Sequence, residues 1–313
     1  MGLICEESSM KLRAGVAGAG SMGRNHARCY SLIEEAGLEA VYDADLKRAR
    51  EIAEEFGAEA VDSPEALAEA CDLASVAVPT VAHLSVGGEL MRRGVHVLME
   101  KPIAPNVEEA QELVKLAGEF DRILQIGHIE RFNPVMRELE AKLHQPKFIE
   151  AHRLSPFPNR SIDIGVVLDL MIHDLEIILH LVKSPVASID AVGVPVLMKS
   201  EDIANARLRF ENGCVANVTA SRISPERLRK IRVFQDDGYL SLDYQEQAGE
   251  MYWKEDGKIR KAPVEVEKDE PLKLELSAFV ESVRDGKTPA VTGQQGTDAL
   301  AIAFKITEMI MAS

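Results

Sequence analysis

Short apolar runs alternate with helical patterns over the first 125 residues of the chain. Leu12–Ala17 and residues 73–78 are typical of strands, whereas Leu46–Phe56 and residues 107–120 have apolar positions at helical spacing. Strands that alternate with helices of this length are typical of a parallel, doubly wound sheet. The strand runs contain few polar residues, as expected for strands that are buried on both faces. The pattern predicts an α/β domain over residues 1–125.

Residues 126–313 have a different pattern. Several runs alternate between apolar and polar residues, as in residues 204–210, and tight linkers such as Glu211-Asn-Gly213 join them, which is typical of antiparallel hairpins. A long helix is predicted near residues 166–182, and two more helices close the chain. We therefore expect a C-terminal α+β domain with an open, mostly antiparallel sheet.

Composition excludes several classes of protein. The net charge of −15 disfavours nucleic-acid binding, which needs clustered Lys and Arg. No apolar run reaches the roughly 18 residues of a membrane span. The four cysteines have neither paired nor metal-binding spacing, so we expect reduced thiols in a cytoplasmic protein.

A glycine-rich turn, Gly18-Ala-Gly20-Ser21-Met22-Gly23, follows the first predicted strand and opens a helix. Gly18 would permit the tight turn, Gly20 would let a pyrophosphate approach the backbone, and Gly23 would let the helix pack on the strand. Free N–H groups at the helix N-terminus favour phosphate binding. The turn predicts a dinucleotide site, although a glycine turn without a cofactor is the alternative.

Asp43 ends the second predicted strand, 20 residues after Gly23. A carboxylate at this position accepts hydrogen bonds from the adenosine ribose diol and repels a 2′-phosphate. The sequence therefore predicts NAD rather than NADP as the cofactor.

Lys101 follows the fifth predicted strand, at the sheet edge where open α/β sheets bind ligands. A lysine there can polarise a carbonyl or share a proton with a hydroxyl, and Glu100 can hold its ammonium group. Alternatively, Lys101 is a surface residue. We also assign Pro79, Thr80 and His83 to the cofactor site, with helix capping as the alternative role of His83.

Asp169 and His173 are four residues apart on the predicted long helix, so we expect them on one face. Their neighbours are apolar, and imidazole is suited to removing a hydroxyl proton. A hydrogen bond between the two in the core is the alternative. A metal site with His180 is disfavoured because a convincing third ligand is missing, so we expect no metal.

Two arginine-containing segments are candidates for substrate binding. The first, residues 128–134, contains Glu130, Arg131 and Asn133, and the second contains Arg153 and Arg160. Arginines gathered in an acidic protein suggest an anionic substrate group, which guanidinium binds in bidentate fashion. The alternative is that they form salt bridges between the domains.

These motifs together resemble the glucose–fructose oxidoreductase and inositol dehydrogenase (Gfo/Idh/MocA) family over residues 10–313. The matching motifs, in order, are Gly18-x-Gly20-x-x-Gly23, Val78-Pro79-x-x-x-His83, Glu100-Lys101-Pro102 and Asp169-x-x-x-His173. The resemblance implies a Rossmann domain followed by an open sheet that makes homodimer or homotetramer contacts. It also implies that Lys101, Asp169 and His173 form the catalytic group.

A narrower resemblance rests on residues 127–134, 153–158 and 201–205, which are similar to those of bacterial UDP-N-acetylglucosamine 3-dehydrogenases. It implies NAD-dependent oxidation of the sugar at C3, in the route to the 3-amino sugar of lipid A. The chain departs from many sugar-acting members of the family by having a single glycine, Gly165, before Asp169. A free polyol or inositol dehydrogenase is the alternative enzyme, and a non-catalytic NAD-binding sensor is the alternative of another class.

Overall fold

The computed structural model of the protein describes residues 11–157 and 164–312, which form two compact units. The first unit runs to Gly127 and also includes Leu272–Gly293, and the second comprises His128–Pro271 and the residues from Gln294 onward. The expectation of one continuous second domain over residues 126–313 is therefore corrected. Residues 272–293 return to the first unit, where the Gln125 side chain donates to the Glu275 carbonyl and the Ile126 N–H donates to the Val291 carbonyl.

The first unit contains a sheet of six parallel strands. In chain order, β1 to β6 are Leu12–Ala17, Ala36–Tyr42, Glu59–Val61, Leu73–Val76, His96–Glu100 and Leu124–Gly127. They lie in the order β3-β2-β1-β4-β5-β6, which is the order of doubly wound dinucleotide-binding folds. All four residues of β4 are buried, as both-sided burial requires.

Helices connect these strands. In chain order, α1 to α5 are Ser21–Tyr30, Leu46–Phe56, Pro64–Ala70, His83–Arg92 and Val107–Glu119. Short polar side chains set several starts: Asp45, Ser63 and Asn106 each accept a backbone N–H in the first turn of their helix. The spacing of apolar residues predicts that the first helix covers residues 21–36, but α1 is six residues shorter, because the chain turns after Tyr30 to enter β2 at Ala36.

The second unit contains an eight-stranded, mostly antiparallel sheet. Its strands, β7 to β14, are Phe148–Leu154, Val186–Val194, Ile203–Phe210, Val215–Ser221, Leu228–Gln235, Gly238–Asp243, Ala248–Glu255 and Lys258–Val264. The order is β14-β13-β12-β11-β7-β10-β9-β8, and only β7 and β10 pair in parallel. The predicted fold class is confirmed for both units.

Three helices of the second unit lie before, between and after these strands. They are α6, Pro134–Lys142; α7, Ile172–Val182; and the last helix of the chain, α9, Gly293–Ala312. Between α7 and α9 the chain forms α8, Pro271–Asp285, whose residues from Leu272 onward belong to the first unit. A π-helical turn, Val167–Met171, precedes α7, and together they form the predicted long helix.

The two faces of the second sheet differ in polarity. Ala216, Val218 and Ala220 of β10 are buried on the face against which α7 packs. The opposite face carries Asn217 and Thr219 of the same strand, which accept hydrogen bonds from side chains of β9. The alternation in residues 214–221 predicts an apolar row on the open face of the sheet, where copies of the chain would meet. That prediction is wrong, because the apolar side of β10 packs against α7 and leaves the polar side on the opposite face.

Among the helices that the structure describes, none is long and apolar enough to cross a membrane.

Candidate functional site

The glycine turn has the geometry that its sequence predicts. Gly18 follows β1 at φ +104°, and a Cβ atom there would overlap the Ala77 carbonyl group. A Cβ at Gly23 would overlap the carbonyl oxygen of Gly18, so the first turn of α1 packs directly on the glycine turn. Gly20, in contrast, faces open space. The position assigned to the pyrophosphate is thus the one glycine of the three that has room beside it.

The N-terminus of α1 is suited to an anion. Gly20 is its N-cap, no side-chain cap from the described residues occupies it, and its first turn contains no acidic residue. Ser21 is exposed and Met22 is half-buried in this first turn. Backbone N–H groups and the positive end of the helix dipole favour a phosphate there. The turn fits the diphosphate of a dinucleotide.

Asp43 is fixed beside the same turn. One carboxylate oxygen accepts the Ala19 N–H at 2.6 Å, and the other accepts the Asp45 N–H at 2.8 Å. These bonds hold the carboxylate at the carboxyl end of β2, next to β1 and its turn. The position is the one that binding of a ribose diol requires.

Lys101 is half-buried, and Glu100 holds its backbone. One Glu100 carboxylate oxygen lies 3.0 Å from Nε2 of the fully buried His26, and the other accepts the Lys101 N–H at 3.2 Å. Burial opposes ionisation of Glu100, but the His26 hydrogen bond and the Lys101 charge lower the pKa of its carboxyl. The ionised carboxylate therefore joins α1 to the loop that carries Lys101.

His83 is buried and holds two loops together. Its ring nitrogens lie 3.1 Å from the Val78 carbonyl oxygen and 3.1 Å from the Ile103 carbonyl oxygen. Burial lowers the pKa of His83, and a neutral imidazole has one N–H to donate. Both ring nitrogens of His83 thus face backbone carbonyl groups, which favours a structural role, and its contact with the cofactor stays a prediction. Pro79 and Thr80, by contrast, follow the carboxyl end of β4, where a 3-10 turn begins at Thr80. Pro79 is exposed and Thr80 is half-buried.

Asp169 and His173 are both partly exposed, although most of their helical neighbours are buried. Asp169 lies in the π-helical turn and His173 in α7, so the helix changes pitch between them rather than continuing as a regular α-helix. Turns of π-helix are rare and frequent at functional sites. The His173 ring lies edge-on to the buried His128 ring, with centroids 5.9 Å apart.

Arg153 belongs to a buried charge network within the second unit. It donates to both oxygens of Asp174, at 2.7 and 3.1 Å, and to Glu130 at 2.8 Å. Burial opposes the charge of Arg153, but the two carboxylates raise its pKa, and Arg153 in turn lowers the pKa of the buried Glu130. A buried guanidinium needs such partners, because an unpaired buried charge is strongly unfavourable.

The neighbouring polar residues are engaged in the same way. Arg131 pairs with Glu176 at 2.8 Å, and both side chains are buried. Asn133 donates to the Tyr244 carbonyl and caps α6 through its side-chain oxygen. These contacts of Glu130, Arg131, Asn133 and Arg153 lie within the protein and do not support their assignment to substrate binding, which stays a prediction. Arg131 and Arg153 form salt bridges within the second unit rather than between the two units. Arg160 lies outside the described residues.

Three residues that support the candidate site were not predicted from the sequence. His26 lies one turn after Gly23 among buried residues of α1, and a polar side chain on an apolar helix face is the signal that points to it. Asp202 and Arg222 form a fully buried ion pair at 2.8 Å. No spacing along the chain links residues 202 and 222, so the pair follows only from the sheet register. The described residues contain no group of three His, Cys, Asp or Glu side chains placed to hold a metal ion.

Comparison with known proteins places both units in one family. Residues 12–128 match the NAD-binding Rossmann domain of the GFO/IDH/MocA oxidoreductase family, and residues 136–241 match its C-terminal domain. The glycine turn and Asp43 lie in the first of these segments, which confirms NAD as the cofactor.

Several relatives match over nearly the whole chain. UDP-N-acetylglucosamine 3-dehydrogenase from Acidithiobacillus ferrooxidans is 36% identical, with coverage of 96% of this chain and 98% of the relative. A solved structure of that enzyme superposes with a TM-score of 0.92, covering 97% of this chain and 99% of the other. Myo-inositol 2-dehydrogenase from Thermotoga maritima is 27% identical, with 94% of each chain covered.

A levoglucosan dehydrogenase solved with NADH and levoglucosan shares the fold, at a TM-score of 0.88 with 16% identity, covering 97% of this chain and 98% of that one. The full-length relatives are named dehydrogenases, so the protein is an enzyme, and the sensor alternative is set aside. From the order of its motifs, its two folds and these matches, the chain belongs to the GFO/IDH/MocA oxidoreductase family.

Proposed function

We propose that the protein oxidises the C3 hydroxyl of UDP-N-acetylglucosamine to a ketone, with NAD as the hydride acceptor. The observation that carries this proposal is the 36% identity to UDP-N-acetylglucosamine 3-dehydrogenase along nearly the full length of both chains. The arginine argument no longer supports it, because Arg131 and Arg153 are buried in ion pairs. The proposed substrate class therefore rests on the similarity to UDP-N-acetylglucosamine 3-dehydrogenase.

The roles of the residues follow from their chemistry. Bound NAD supplies the acceptor for the hydride that leaves C3. His173 removes the proton of the C3 hydroxyl, since imidazole exchanges protons near neutral pH. The Lys101 ammonium group stabilises the negative charge that develops on the oxygen. Asp169 orients the sugar through a hydrogen bond to a hydroxyl.

The chain's own residues also prepare the cofactor site. The α1 N-terminus and the open side of Gly20 bind the diphosphate, and Asp43 binds the adenosine ribose. Glu100 and His26 hold the Lys101 backbone from one side, while His83 holds the Ile103 carbonyl that follows it. Lys101 is thus held through its N–H by Glu100, and the His83 ring lies against the carbonyl of Ile103 two residues later.

A second candidate is oxidation of a free polyol, which the full-length match to myo-inositol 2-dehydrogenase favours. The two candidates differ in the nucleotide, because only the first requires the protein to bind a uridine diphosphate. A 3-keto nucleotide sugar would be consumed by transamination, as in the synthesis of lipid A precursors.

The test incubates the enzyme and NAD with UDP-N-acetylglucosamine, UDP-glucose, N-acetylglucosamine or myo-inositol, each with a reagent that traps ketones. We expect NADH and a trapped 3-keto sugar with UDP-N-acetylglucosamine alone. The Lys101→Ala variant, run in parallel, detects turnover by contaminating enzymes. Turnover of myo-inositol without turnover of the nucleotide sugar would replace this proposal by the polyol reading.

A further inference from the structure

Two valines shortly before Asp169 are hydrogen-bonded to Glu201, which lies more than 30 residues later in the second unit. Val166 donates its N–H to the Glu201 carbonyl at 3.0 Å, and Val167 donates its N–H to a Glu201 carboxylate oxygen at 3.2 Å. Both valines and Glu201 are buried. Glu201 thus binds two successive N–H groups at the start of the helix that carries Asp169, where N–H groups lack partners within the helix.

Gly165 makes room for this contact. A Cβ atom built at Gly165 would overlap the Glu201 carboxylate. The backbone of Gly165 is not among the positive-φ glycines, so its conformation is open to alanine. The single glycine before Asp169 is therefore required for space rather than for backbone conformation, and the space is filled by the Glu201 carboxylate.

The residues around Glu201 are themselves fixed. The fully buried Arg222 donates to Asp202 at 2.8 Å and to the Ile164 carbonyl at 2.7 Å. Asp202 also accepts the N–H groups of Leu197, Met198 and Val196. Burial opposes ionisation of Asp202, but these backbone hydrogen bonds and that of Arg222 lower the pKa of its carboxyl to about 2. The segment that carries Glu201 is therefore held in place by several buried hydrogen bonds on its C-terminal side.

The link to Asp169 is short. Its N–H donates to the Gly165 carbonyl at 3.1 Å, so Asp169 belongs to the turn that Glu201 and Arg222 hold. We propose that Glu201 is a positioning residue: by binding the Val167 N–H in the space left by Gly165, it sets the π-helical turn that presents Asp169. The inference rests on the proposed function, in which Asp169 and His173 act on the sugar. A misplacement of about 1 Å in such a group lowers turnover by about a hundredfold.

A double-mutant cycle on Gly165 and Glu201 tests the proposal. Glu201→Ala removes the carboxylate, and Gly165→Ala displaces it, so each should lower kcat by about tenfold or more. The double variant should be no worse than Glu201→Ala, because the added methyl group then meets empty space. Glu201→Gln keeps an oxygen acceptor for Val167 and should retain most of the turnover. The affinity for NADH should not change in any of these variants.

Leu181→Ala is the matched control, because Leu181 is buried in the same α7 but lies well past the held turn. It should lower the thermal midpoint while keeping the kcat of the folded enzyme. Additive losses in the Gly165 and Glu201 variants would overturn the proposal, and so would a kcat for Glu201→Ala equal to that of the Leu181 control.

Hydrogen exchange separates this inference from the proposed function. The amides of Val167 and Asp169 should exchange faster in Glu201→Ala than in the wild type, and this is measured without substrate. Unchanged protection at both amides overturns the inference, whatever the substrate is. If Asp169→Asn keeps wild-type turnover on UDP-N-acetylglucosamine, the proposed role of Asp169 fails instead, and Glu201 then positions no reacting group.

Discussion

Asp43 connects the shape of the glycine turn to the choice of cofactor. Its carboxylate is held by the N–H groups of Ala19 and Asp45, so it cannot swing away from a nucleotide bound at the turn without breaking both bonds. A 2′-phosphate on the adenosine ribose would bring further negative charge against this fixed carboxylate. The position of Asp43 therefore favours NAD by hydrogen bonding to the ribose and disfavours NADP by charge repulsion.

We predict that the wild type binds NADH more tightly than NADPH and that Asp43→Ala reduces the difference by about tenfold or more, since one charge-assisted contact and one repulsion are lost. Fluorescence titration gives both Kd values. Asp45→Ala serves as the control, because it removes a neighbouring carboxylate that caps α2. Tighter binding of NADPH by the wild type would contradict the prediction.

Lys101 and His173 are predicted to serve chemistry rather than folding. Both side chains are partly accessible, so alanine at either position leaves the core intact. We expect kcat to fall by about a hundredfold or more in Lys101→Ala and His173→Ala. The Kd for NADH and the thermal midpoint should change little. His180→Ala, on the same helix and paired only with Glu140 among the contacts described, should keep wild-type turnover.

The sequence predicts the roles of glycines better than those of charged residues. Gly18 and Gly23 could be assigned because a tight turn and a close helix packing exclude a side chain in any protein. Arg153 could not, since an arginine that binds a diphosphate and one that neutralises buried carboxylates look alike in sequence. The buried carboxylates of Glu130 and Asp174 around Arg153 favour the second role.

At the scale of elements, Arg153 joins β7 to α7 through Asp174 and to the turn after β6 through Glu130. We predict that Arg153→Met destabilises the protein by about 3–5 kcal/mol, because the buried Asp174 loses its cation and the buried Glu130 keeps only its longer contact with Arg229. Chemical denaturation measures the loss. The KM of the folded variant for substrate should stay near that of the wild type.

Arg232→Met is the matched control. Arg232 pairs with Glu150 on the exposed part of the same sheet, and such surface pairs contribute about 1 kcal/mol or less. Equal losses in the two variants would contradict the buried network. A rise in KM without a loss of stability in Arg153→Met would restore its role in substrate binding.

The elements that the sequence predicts are those with clear periodicity. The strands of the first unit and β7 to β12 were predicted with small shifts at their ends. β13 and β14 are not predicted, because β13 is half-buried and β14 mostly exposed, neither alternates regularly, and Pro263 lies in β14. We assign the polar residues 128–134 to substrate binding and predict no helix after them, where α6 begins at Pro134.

At the scale of the whole molecule, α8 shows that the periodicity of a helix does not predict which sheet the helix packs against. Its apolar face predicted a helix, but nothing in a helical pattern states which sheet that face will meet. The structure places Leu276 and Phe279 in the core of the first unit, 152 and 155 residues after the start of β6 at Leu124. Pairing across such distances depends on surface complementarity, which one sequence does not display.

Homo-oligomerisation through the second sheet stays a prediction. It now rests on a row of aromatic side chains instead of the apolar residues of β10. Phe148, Phe234, Tyr239 and Tyr252 lie directly opposite one another on four neighbouring strands and are half-buried. Aromatic rows of this kind are enriched in interfaces. Light scattering should give the mass of a dimer or tetramer, and Tyr239→Glu should lower it. A monomeric mass for the wild type at micromolar concentration would contradict the prediction.

The most direct measurement follows the hydrogen that leaves the sugar. UDP-N-acetylglucosamine carrying deuterium at C3 is incubated with the enzyme, NAD and a ketone trap, and the reduced cofactor is analysed by mass spectrometry. We predict that the cofactor gains one deuterium and that the trapped sugar loses it, whereas substrate labelled at C4 yields unlabelled NADH. Unlabelled NADH from the C3-labelled sugar, or no NADH at all, would contradict hydride transfer from C3.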